Sequence, residues 1–504
     1  MGQKRREEAP AGLIDLANER LGGAALLCTD DFFAPMENLV RDADPVWKEG
    51  VYTERGKWMD GWESRRKRVE GHDWCIVRLG LPGVIKQVVV DTAFFRGNFP
   101  ESCSLEAVSL PGAPSLAALQ EAQWEEILPV SILQGHHRNV FAITDPRRFT
   151  HLRLHIHPDG GVARLRVYGE ALMSPDAVRG GDVLDLAAVE HGGRGLGCSD
   201  AFFGAVSNML MPGRGVNMGD GWETRRRRGP GHDWAVVKLA GEGDVERVVV
   251  DTWHFKGNYP GSCEVHGAHL PDGWSEDAEV AWAPLVERVD LQAHTAHPFA
   301  ARADVGPVTH VRLKIHPDGG VSRFRVFGRL TSKARAEALL RHFNCLGQAE
   351  AVAALRDCCA SQQWAQSVAE ARPFESLEAV KAASDKAWEA TEEADWRQAF
   401  DGHPRIGERK AAAGQSAAAK KWSGNEQSGV DAAQDTVKAA LAQGNVDYEA
   451  KFGFIFLICA TGKSAQEMLD ALKGRLDNDP QDELRVAAAE QHKITTLRLE
   501  KMFT

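Results

Sequence analysis

The sequence predicts a multidomain protein in which two tandem all-β domains of the jelly-roll or sandwich type precede an all-α helical domain. Three observations lead to this prediction. At roughly 150 residues per domain, the 504 residues correspond to about three domains. Three long motifs of the front part occur twice, at a constant separation. Residues 331–504 hold only 10 of the 49 glycines and 3 of the 22 prolines, so a turn-rich β region precedes a helical one.

The composition excludes several classes of protein. The 60 Lys and Arg residues against 71 Asp and Glu residues give a net charge of −11, which lacks the positive field that phosphate binding needs. No apolar run reaches the about 20 residues of a membrane span, and the first residues carry no signal-peptide pattern. Nine cysteines without a CxxC pair favour a reducing compartment. We therefore expect a cytoplasmic protein that binds neither nucleic acid nor a membrane.

An internal repeat organises the front part. Residues 61–74 recur at 221–234 with 10 of 14 positions identical, residues 91–103 at 251–263 with 8 of 13, and residues 157–169 at 316–328 with 10 of 13. The offset of 159 or 160 residues indicates a duplicated domain rather than a solenoid. The expected organisation is an N-terminal tail over 1–20, a first β repeat over 21–175, a second over 176–330 and the helical domain over 335–504.

Each copy has the pattern of a β-sheet. Residues 150–157 alternate apolar and polar side chains, and so do residues 309–316, which predicts strands with one buried face. The Pro-Asp-Gly-Gly sequence that follows carries turn chemistry. We therefore expect the segment after it, RLRVYG at 164–169, to return as the hairpin partner of 150–157.

Both copies keep the same titratable residues, and these are the candidate site of the front part. A histidine beside an aspartate can serve as a general acid or base, and a forked guanidinium recognises a carboxylate by paired hydrogen bonds. The candidates are Glu63, Arg65, His72, Asp73 and His157 in the first copy and Glu223, Arg225, His232, Asp233 and His316 in the second. The alternatives are structural: the arginines form a solvated face and the His-Asp pair caps a loop.

A metal pair is a further alternative in this region. His155 and His157 lie two residues apart on one predicted strand and share a face, as two ligands of a metal would. The second copy carries Lys314 at the position of His155. We therefore expect no metal.

The duplicated motifs resemble those of the allantoicase family. The carriers are DGWE(S/T)RR-x-R…GHDW, DT…GN(F/Y)P…SC and HPDGGV-x-R-x-RV-x-G, and the resemblance covers about residues 15–330. It implies two tandem jelly-roll domains and the hydrolysis of allantoate to ureidoglycolate and urea. That reaction needs an anchor for the carboxylate and a proton for the departing nitrogen. Arginine and the His, Asp and Glu candidates suit these needs.

The rear part has the pattern of a helical bundle. Residues 375–400, 462–480 and 483–503 place apolar residues at helical spacing among charges, and about six to eight helices are expected. His403 precedes Pro404, and the residue before a proline is biased to extended geometry, so we expect His403 at a rigid turn. The alternative is a helix-breaking loop without a chemical role. The segment 456–464 is apolar and by itself typical of a core.

This part resembles 2-oxo-4-hydroxy-4-carboxy-5-ureidoimidazoline decarboxylase, abbreviated OHCU decarboxylase, the family that forms (S)-allantoin. Six features match in order: CC-x-S-x-x-WA (358–365), RPF (372–374), DW…AF…HPRIG (395–407), S-x-x-EQ (423–427), FGF-x-F-x-ICA-x-GKS (452–464) and KI-x-x-LRLEK (493–501). The resemblance implies His403 as proton donor, with Glu426 and Arg498 as further catalytic residues. It also implies substrate contacts at Pro404, Ser423, Gly424, Asn425, Gln427, Phe456, Leu457, Ile458, Cys459 and Ala460.

Together the two resemblances imply a bifunctional enzyme of purine breakdown that acts on small ureido substrates without a cofactor. Decarboxylation next to an imine needs no cofactor, because the ring accepts the electron pair that CO2 leaves behind. We expect the chain to form a homo-oligomer. The alternative is a decarboxylase fused to a double β-sandwich that binds a ligand without catalysis, because a fold does not settle a function. A fusion with one degenerate site is a third possibility.

Overall fold

The computed structural model describes Pro10, residues 12–405 and residues 435–504. The chain divides into two compact units, Met1–Ala338 and Leu339–Thr504. The first unit contains both β repeats and the second contains helices, so the predicted fold class is confirmed. Over these described stretches, no helix combines the length and the apolar character that crossing a membrane requires.

The first repeat is built on one long strand, Asp73–Asp91. Its residues 73–78, together with 83 and 84, pair with the strand Arg148–His157, whereas its residues 83–91 pair with the strand Arg164–Ala171. The apolar side chains of both halves, including Cys75, Val77, Val88 and Val90, belong to one buried cluster. The strand therefore contributes its first half to one layer and its second half to the other, with the core between them. The remaining strands are Ile14–Asp15, Ala24–Cys28, Tyr52–Thr53, Gly56–Lys57, Trp62–Glu63, Ser102–Val108, Glu125–Ile132, Arg138–Ala142 and Gly161–Val162.

The second repeat has the same plan. Its long strand Asp233–Asp251 pairs with Val308–His316 through residues 233–243, and with Arg323–Leu330 through residues 243–251. The other strands are Leu184–Asp185, Arg194–Cys198, Trp222–Glu223, Ser262–Ala268, Ala283–Asp290, Ala296–Ala300 and Gly320–Val321. Two short α-helices, Leu116–Glu121 and Pro175–Arg179, complete the β part.

The expected hairpin between residues 150–157 and 164–169 is wrong. Both segments are strands, but each pairs with a different half of Asp73–Asp91 and they do not pair with each other. The Pro-Asp-Gly-Gly segment between them instead leads the chain from one layer to the other. Its last glycine, Gly161, begins a two-residue strand that pairs with Trp62–Glu63. Turn chemistry marked the change of direction correctly but did not determine the strand partner.

The first repeat begins before the boundary expected from the sequence. Ile14 and Asp15 pair with Gly169 and Tyr168, so residues assigned to an N-terminal tail form an edge strand of the first sheet. Arg20 of the first repeat also forms an ion pair with Asp220 of the second.

The last strand of the second repeat ends at Leu330, and a helix begins at Ser332. The described helices from there onward are Ser332–Asn344, Gln348–Arg356, Gln362–Glu370, Leu377–Glu389, Glu393–Asp401, Asp435–Phe452, Ala465–Arg475 and Pro480–Met502. The stretch 375–400 forms two helices rather than one, because Ala390 ends the first and Glu392 caps the second. Pro480, at the end of the predicted helical stretch 462–480, is instead the first residue of the C-terminal helix, where a missing N–H costs nothing.

Candidate active sites

The helical unit contains a pocket at the end of the helix Glu393–Asp401. The pocket contains about 430 Å³ of space, part of which is open to solvent. Its walls are formed by His403, Pro404, Phe456, Leu457, Ile458, Cys459, Ala460, Thr461, Ile494 and Leu497. The helix stops at Asp401, and Gly402 packs so closely that a Cβ there would meet Ala360 Cβ at 2.7 Å. His403 therefore follows directly after the helix end. The structure brings together His403 with Pro404, the segment 456–460, and Ile494 and Leu497 of the C-terminal helix, three parts that are distant in the sequence.

The segment 456–460 has no regular secondary structure, and side chains of two helices hold its backbone in place. Arg475 donates to the Leu457 carbonyl at 2.7 Å, and Glu490 accepts from the Cys459 N–H at 2.7 Å. Arg475 in turn donates to the fully buried Glu483 at 2.7 Å, and Glu483 also accepts from the Tyr448 hydroxyl. The wall of the pocket thus depends on a buried charge network behind it.

His403 is half-buried and neutral at physiological pH. Burial and, to a smaller extent, the nearby Arg498 guanidinium lower the pKa of its imidazole to about 3, while the interaction with the Gln491 side chain opposes that shift. Arg498 is 3% exposed on the C-terminal helix. A bare imidazole nitrogen and a buried cation therefore lie near each other, an arrangement that favours an anionic ligand.

The orientation of Gln491 follows from its neighbour Thr495. The Thr495 hydroxyl group donates its proton to the backbone carbonyl of Gln491 at 3.0 Å. The same hydroxyl oxygen can therefore only accept from the Gln491 side chain, and it does so from Nε2 at 3.1 Å. The Gln491 Oε1 atom consequently points away from Thr495 and is buried. The Gln491 side chain interacts with His403 in the direction that favours the protonated ring.

Part of the expected decarboxylase site lies outside the described residues. These positions are Ser423, Gly424, Asn425, Glu426 and Gln427. Thr461, Gln491, Ile494 and Leu497 were missed by the sequence interpretation. Gln491, Ile494 and Arg498 follow one another at spacings of three and four, so the helical periodicity before Arg498 was the signal that could have found Gln491.

In the first β repeat, Glu63 lines a separate pocket. Asn98 donates to Glu63 Oε1 at 2.7 Å. Burial raises the pKa of the Glu63 carboxyl, and the Asn98 hydrogen bond opposes that rise. Gly160 permits this arrangement: its φ is +134°, and a Cβ there would meet the Asn98 carbonyl oxygen at 2.8 Å. The duplicated His-Pro-Asp-Gly-Gly motif thus supports the loop that carries Asn98.

His72 and His157 belong to a second group on the outer face of the first sheet. His72 Nε2 lies 2.8 Å from His155 Nδ1, His155 Nε2 lies 2.8 Å from Glu106, and His157 Nε2 lies 3.1 Å from the Ser104 hydroxyl. Burial lowers the pKa of His155 and of His157. Among the residues that the structure describes, no group of three or more His, Cys, Asp or Glu side chains is arranged to hold a metal ion.

Arg65 and Asp73 lie in neither group. Arg65 donates to Asp30 and its guanidinium centre lies 5.2 Å from the Phe32 ring centroid. Asp73 is 2% exposed and accepts from Lys67 and from Thr29. His72 and Asp73 do not contact each other, because neighbouring side chains at the start of a strand point in opposite directions.

The second repeat places its candidates in the same way. Glu223 accepts from Asn258, and burial raises the pKa of the Glu223 carboxyl. The His316 ring lies 5.0 Å from the His232 ring, and its Nε2 lies 2.8 Å from Glu264. Arg225 pairs with Asp200, and Asp233 with Arg227. The ten candidates of the two repeats therefore fall into Glu–Asn pairs, histidine groups and structural ion pairs.

Comparison with known families assigns both parts of the chain. The family model described as allantoicase repeat matches residues 14–172 and 184–331. The family model described as OHCU decarboxylase matches residues 344–500. The two matches cover the β repeats and the helical unit respectively.

Individual relatives agree with these matches. A probable allantoicase of Pseudomonas fluorescens is 50% identical over 322 residues, which are 63% of this chain and 96% of that protein. A probable allantoicase of Photobacterium profundum is 51% identical over 320 residues, 62% of this chain and 96% of that protein. The crystal structure of an allantoicase from Saccharomyces cerevisiae matches with a TM-score of 0.55 and 35% identity, over 63% of this chain and 93% of that one.

Proposed function

This chain belongs to the allantoicase family and carries an OHCU decarboxylase domain after the allantoicase repeats, and from this premise we propose that it catalyses two steps of purine degradation. The helical unit converts 2-oxo-4-hydroxy-4-carboxy-5-ureidoimidazoline into (S)-allantoin and CO2. The β unit hydrolyses allantoate to ureidoglycolate and urea. The observation that carries the first activity is the pocket in which His403 and Pro404 meet the wall 456–460.

The neutral His403 suits a proton relay. When CO2 leaves the substrate, its electron pair passes to the adjacent ring imine, whose nitrogen takes up one proton from solvent overall. A second proton must then move from the 4-hydroxyl group, which becomes the carbonyl of allantoin, to the ring carbon that bears the ureido group. A neutral imidazole accepts the proton of the hydroxyl group and delivers it to the carbon, a role often worth roughly 10²–10⁴ in rate.

The side chains around His403 divide the remaining tasks. Arg498 supplies a fixed buried charge for the substrate carboxylate and for the electrons that develop on the ring. Gln491 holds the tautomer of His403. The apolar wall Phe456–Ala460 excludes water, so that the proton reaches one face of the ring. Glu426 and the other residues of 423–427 remain proposed substrate contacts.

For the hydrolysis, we place the reaction at a Glu–Asn pair of one repeat rather than at a histidine group. A protonated carboxyl can give its proton to the departing urea nitrogen and recover it from the attacking water. The Glu63 carboxyl lines a pocket, and burial raises its pKa, which is the direction that favours the protonated form. The histidine group is already engaged in hydrogen bonds: His72 with His155, His155 with Glu106, and His157 with Ser104.

The test supplies the purified full chain separately with each substrate. We expect urea from allantoate, and (S)-allantoin, followed by circular dichroism, from freshly generated OHCU substrate. His403→Ala should abolish the enantiomeric excess of allantoin without unfolding the helical unit. If the wild-type chain releases no urea, the β repeats are a binding module and not a hydrolase. If it forms racemic allantoin at the spontaneous rate, the proposed decarboxylase activity is wrong.

We further propose that the chain forms a homo-oligomer in the cytoplasm and does not bind nucleic acid. Val130 and Ile132 are 64% and 83% exposed on the strand Glu125–Ile132, which ends the first sheet, and such an exposed apolar edge suits pairing with a second copy. No disulfide joins the nine cysteines, all of which lie in described residues. Light scattering of the purified chain tests the assembly, and a monomer at micromolar concentration would contradict it.

A further inference from the structure

The pocket of the first repeat combines a carboxyl group with two cations, and all three groups face open space. It includes about 1250 Å³, part of it open to solvent, and its walls include Trp47, Lys57, Glu63, Arg96 and Asn98. Asn98 binds Glu63 Oε1, and no hydrogen bond from a described residue engages Oε2. The second carboxyl oxygen is therefore left for a ligand or water.

The two cations of this pocket differ in how they are held. Lys57 Nζ lies 4.2 Å from the Trp47 ring centroid, and the Trp47 ring stacks on Phe94 at 5.8 Å between centroids. Arg96 is exposed, and within the described part of the chain no acidic side chain pairs with it. Arg96 thus offers its forked donors to a carboxylate from outside, and the aromatic rings offer flat faces to planar ureido groups.

The second repeat keeps the Glu–Asn pair but not its surroundings. In each repeat, one connection runs from a short 3-10 helix to the duplicated Gly-Trp-Glu motif. This connection has 20 residues, 41–60, in the first repeat and only 10 residues, 211–220, in the second. The longer connection contains Trp47 and carries Lys57 on the hairpin formed by Tyr52–Thr53 and Gly56–Lys57. The shorter connection supplies neither of these side chains.

Residues of the shorter connection in the second repeat instead contact the neighbouring aromatic residues. Arg214 lies 3.9 Å from the Trp253 ring centroid, and Trp253 stacks on His294 at 3.8 Å. His254, which corresponds to Phe94, has its Nε2 atom 2.9 Å from the Gly215 carbonyl oxygen. In the second repeat, the cation of the shorter connection and the ring that corresponds to Phe94 are therefore engaged in internal contacts.

A third cavity lies between the two repeats but is less suited to an anion. It is lined by charged side chains that already pair: Arg166 with Asp15 at 3.5 Å, Arg194 with Glu170 at 3.3 Å and Arg20 with Asp220. A carboxylate ligand there would have to displace an existing partner. In the first-repeat pocket it would meet the Arg96 guanidinium without displacing an acidic side chain of the described residues.

We infer that the pocket of the first repeat is where a carboxylate bearing ureido groups binds and loses urea, with Arg96 and Lys57 holding the carboxylate and Glu63 transferring the proton. This inference rests on the proposed hydrolysis of allantoate by the β unit. The bond between the central carbon and one ureido nitrogen breaks, and the nitrogen leaves with the electron pair and takes the proton of the Glu63 carboxyl. Water adds its hydroxyl group to the carbon and returns one proton to Glu63. The second repeat takes no part in these steps.

Matched variants of the full chain test the assignment. We expect Glu63→Gln to lower kcat for urea release by roughly 10²–10⁴, whereas Glu223→Gln stays within about twofold of wild type. Arg96→Met should raise KM at least tenfold with a smaller effect on kcat, and Lys256→Met, its counterpart, should not. The melting temperature of every preparation reports whether the β unit is folded, and because Arg96 is exposed, its variant remains informative if Glu63→Gln folds poorly.

The outcomes are distinguishable. A loss in Glu223→Gln, or wild-type kinetics in both Glu63→Gln and Arg96→Met, would overturn the first-repeat pocket while leaving the hydrolase function in place. A wild-type chain that releases no urea from allantoate would instead remove the proposed function itself.

Discussion

At the scale of single residues, the environment of His403 determines what this side chain can do. The pKa of about 3 means that the free site holds a neutral imidazole through the whole physiological range. An unperturbed imidazole titrates near neutrality, and the sequence around His403 gives no sign of a different value. The difference arises because burial and the charge of Arg498 are tertiary effects, which residue spacing does not reveal.

The pH dependence of decarboxylation follows from this state. Because the folded pKa of His403 lies below its unfolded value of 6.5, the neutral form is present above about pH 3. We expect kcat/KM to show no decline between pH 6 and 8 that would mark the loss of an imidazolium acid. Steady-state kinetics with a fresh substrate solution at each pH checks this expectation. A kcat/KM that falls tenfold per pH unit above 6.5 would show that the cation is the active form.

Gln491→Leu should impair decarboxylation without removing any residue proposed to touch the reacting carbon. The substitution deletes the side-chain amide that interacts with His403 and that we propose sets its tautomer. We expect a rate loss of about tenfold to a hundredfold and a lower enantiomeric excess. Gln491→Glu retains an acceptor and adds a negative charge, so it should raise the pKa of His403 and move the pH profile upward. Gln466→Leu, at an exposed helix position, is the control. An unchanged enantiomeric excess in Gln491→Leu would contradict the assigned role.

At the scale of secondary-structure elements, the irregular segment 456–460 depends on the helices that hold it. Arg475 binds both the Leu457 carbonyl and the fully buried Glu483. The sequence predicted an apolar wall here, and its backbone anchors were not evident because they come from helices 18 and 31 residues further along the chain.

Glu483→Gln should destabilise the helical unit by about 3 kcal/mol, because it leaves the guanidinium of Arg475 without its buried counter-charge. Asp482→Asn, one residue earlier, removes an exposed ion pair with Arg485 and should cost less than about 1 kcal/mol. Chemical denaturation followed by circular dichroism measures both free energies of unfolding. Equal losses in the two variants would show that burial of the pair has no special effect.

Gly160→Ala should reduce urea release at least tenfold. The new Cβ would press on the Asn98 carbonyl, and the φ of +134° is strained for alanine, at a cost of about 1–3 kcal/mol. Gly319→Ala creates the same strain beside Asn258 in the second repeat, so it should lose similar stability but retain urea release. Melting temperatures and urea assays of both variants check the comparison. Equal loss of urea release in both would argue that the second repeat is also required.

The sequence predicted strands and helices better than it predicted their partners. Period-two alternation located the strands 148–157 and 308–316, and duplication showed that both copies share one plan. The pairing of Arg164–Ala171 with the second half of Asp73–Asp91 was missed, because a local turn pattern carries no information about which layer the chain enters next. The break at Ala390 was missed for a similar reason, since apolar spacing continues across it.

At the scale of the whole molecule, the fold class and both families were predictable from the sequence. Long duplicated motifs and an ordered series of rear motifs carry that information. The site of the hydrolysis was not predictable in the same way. The retained residues Glu63, Arg65, His72 and Asp73 are close in sequence, but the structure distributes them over a pocket, two ion pairs and a histidine group. Duplication preserves residues that support the scaffold as well as those that serve a reaction.

The two activities should be separable in one chain. His403→Ala should lower decarboxylation at least a hundredfold while urea release stays within about twofold, and Glu63→Gln should do the reverse. The physical reason is that the two proposed sites share no residue. Parallel assays of both variants and the double variant measure this independence. A substitution that reduces both activities by the same factor would contradict it.

The long strand Asp73–Asp91 has a consequence for how the first β-sandwich opens. Because one covalent segment hydrogen-bonds in both layers, neither layer can detach without breaking the ladder of the other. Amide hydrogens at Val77 and Val88 should therefore exchange with deuterium at a single, slow, denaturant-sensitive rate, as a single cooperative foldon.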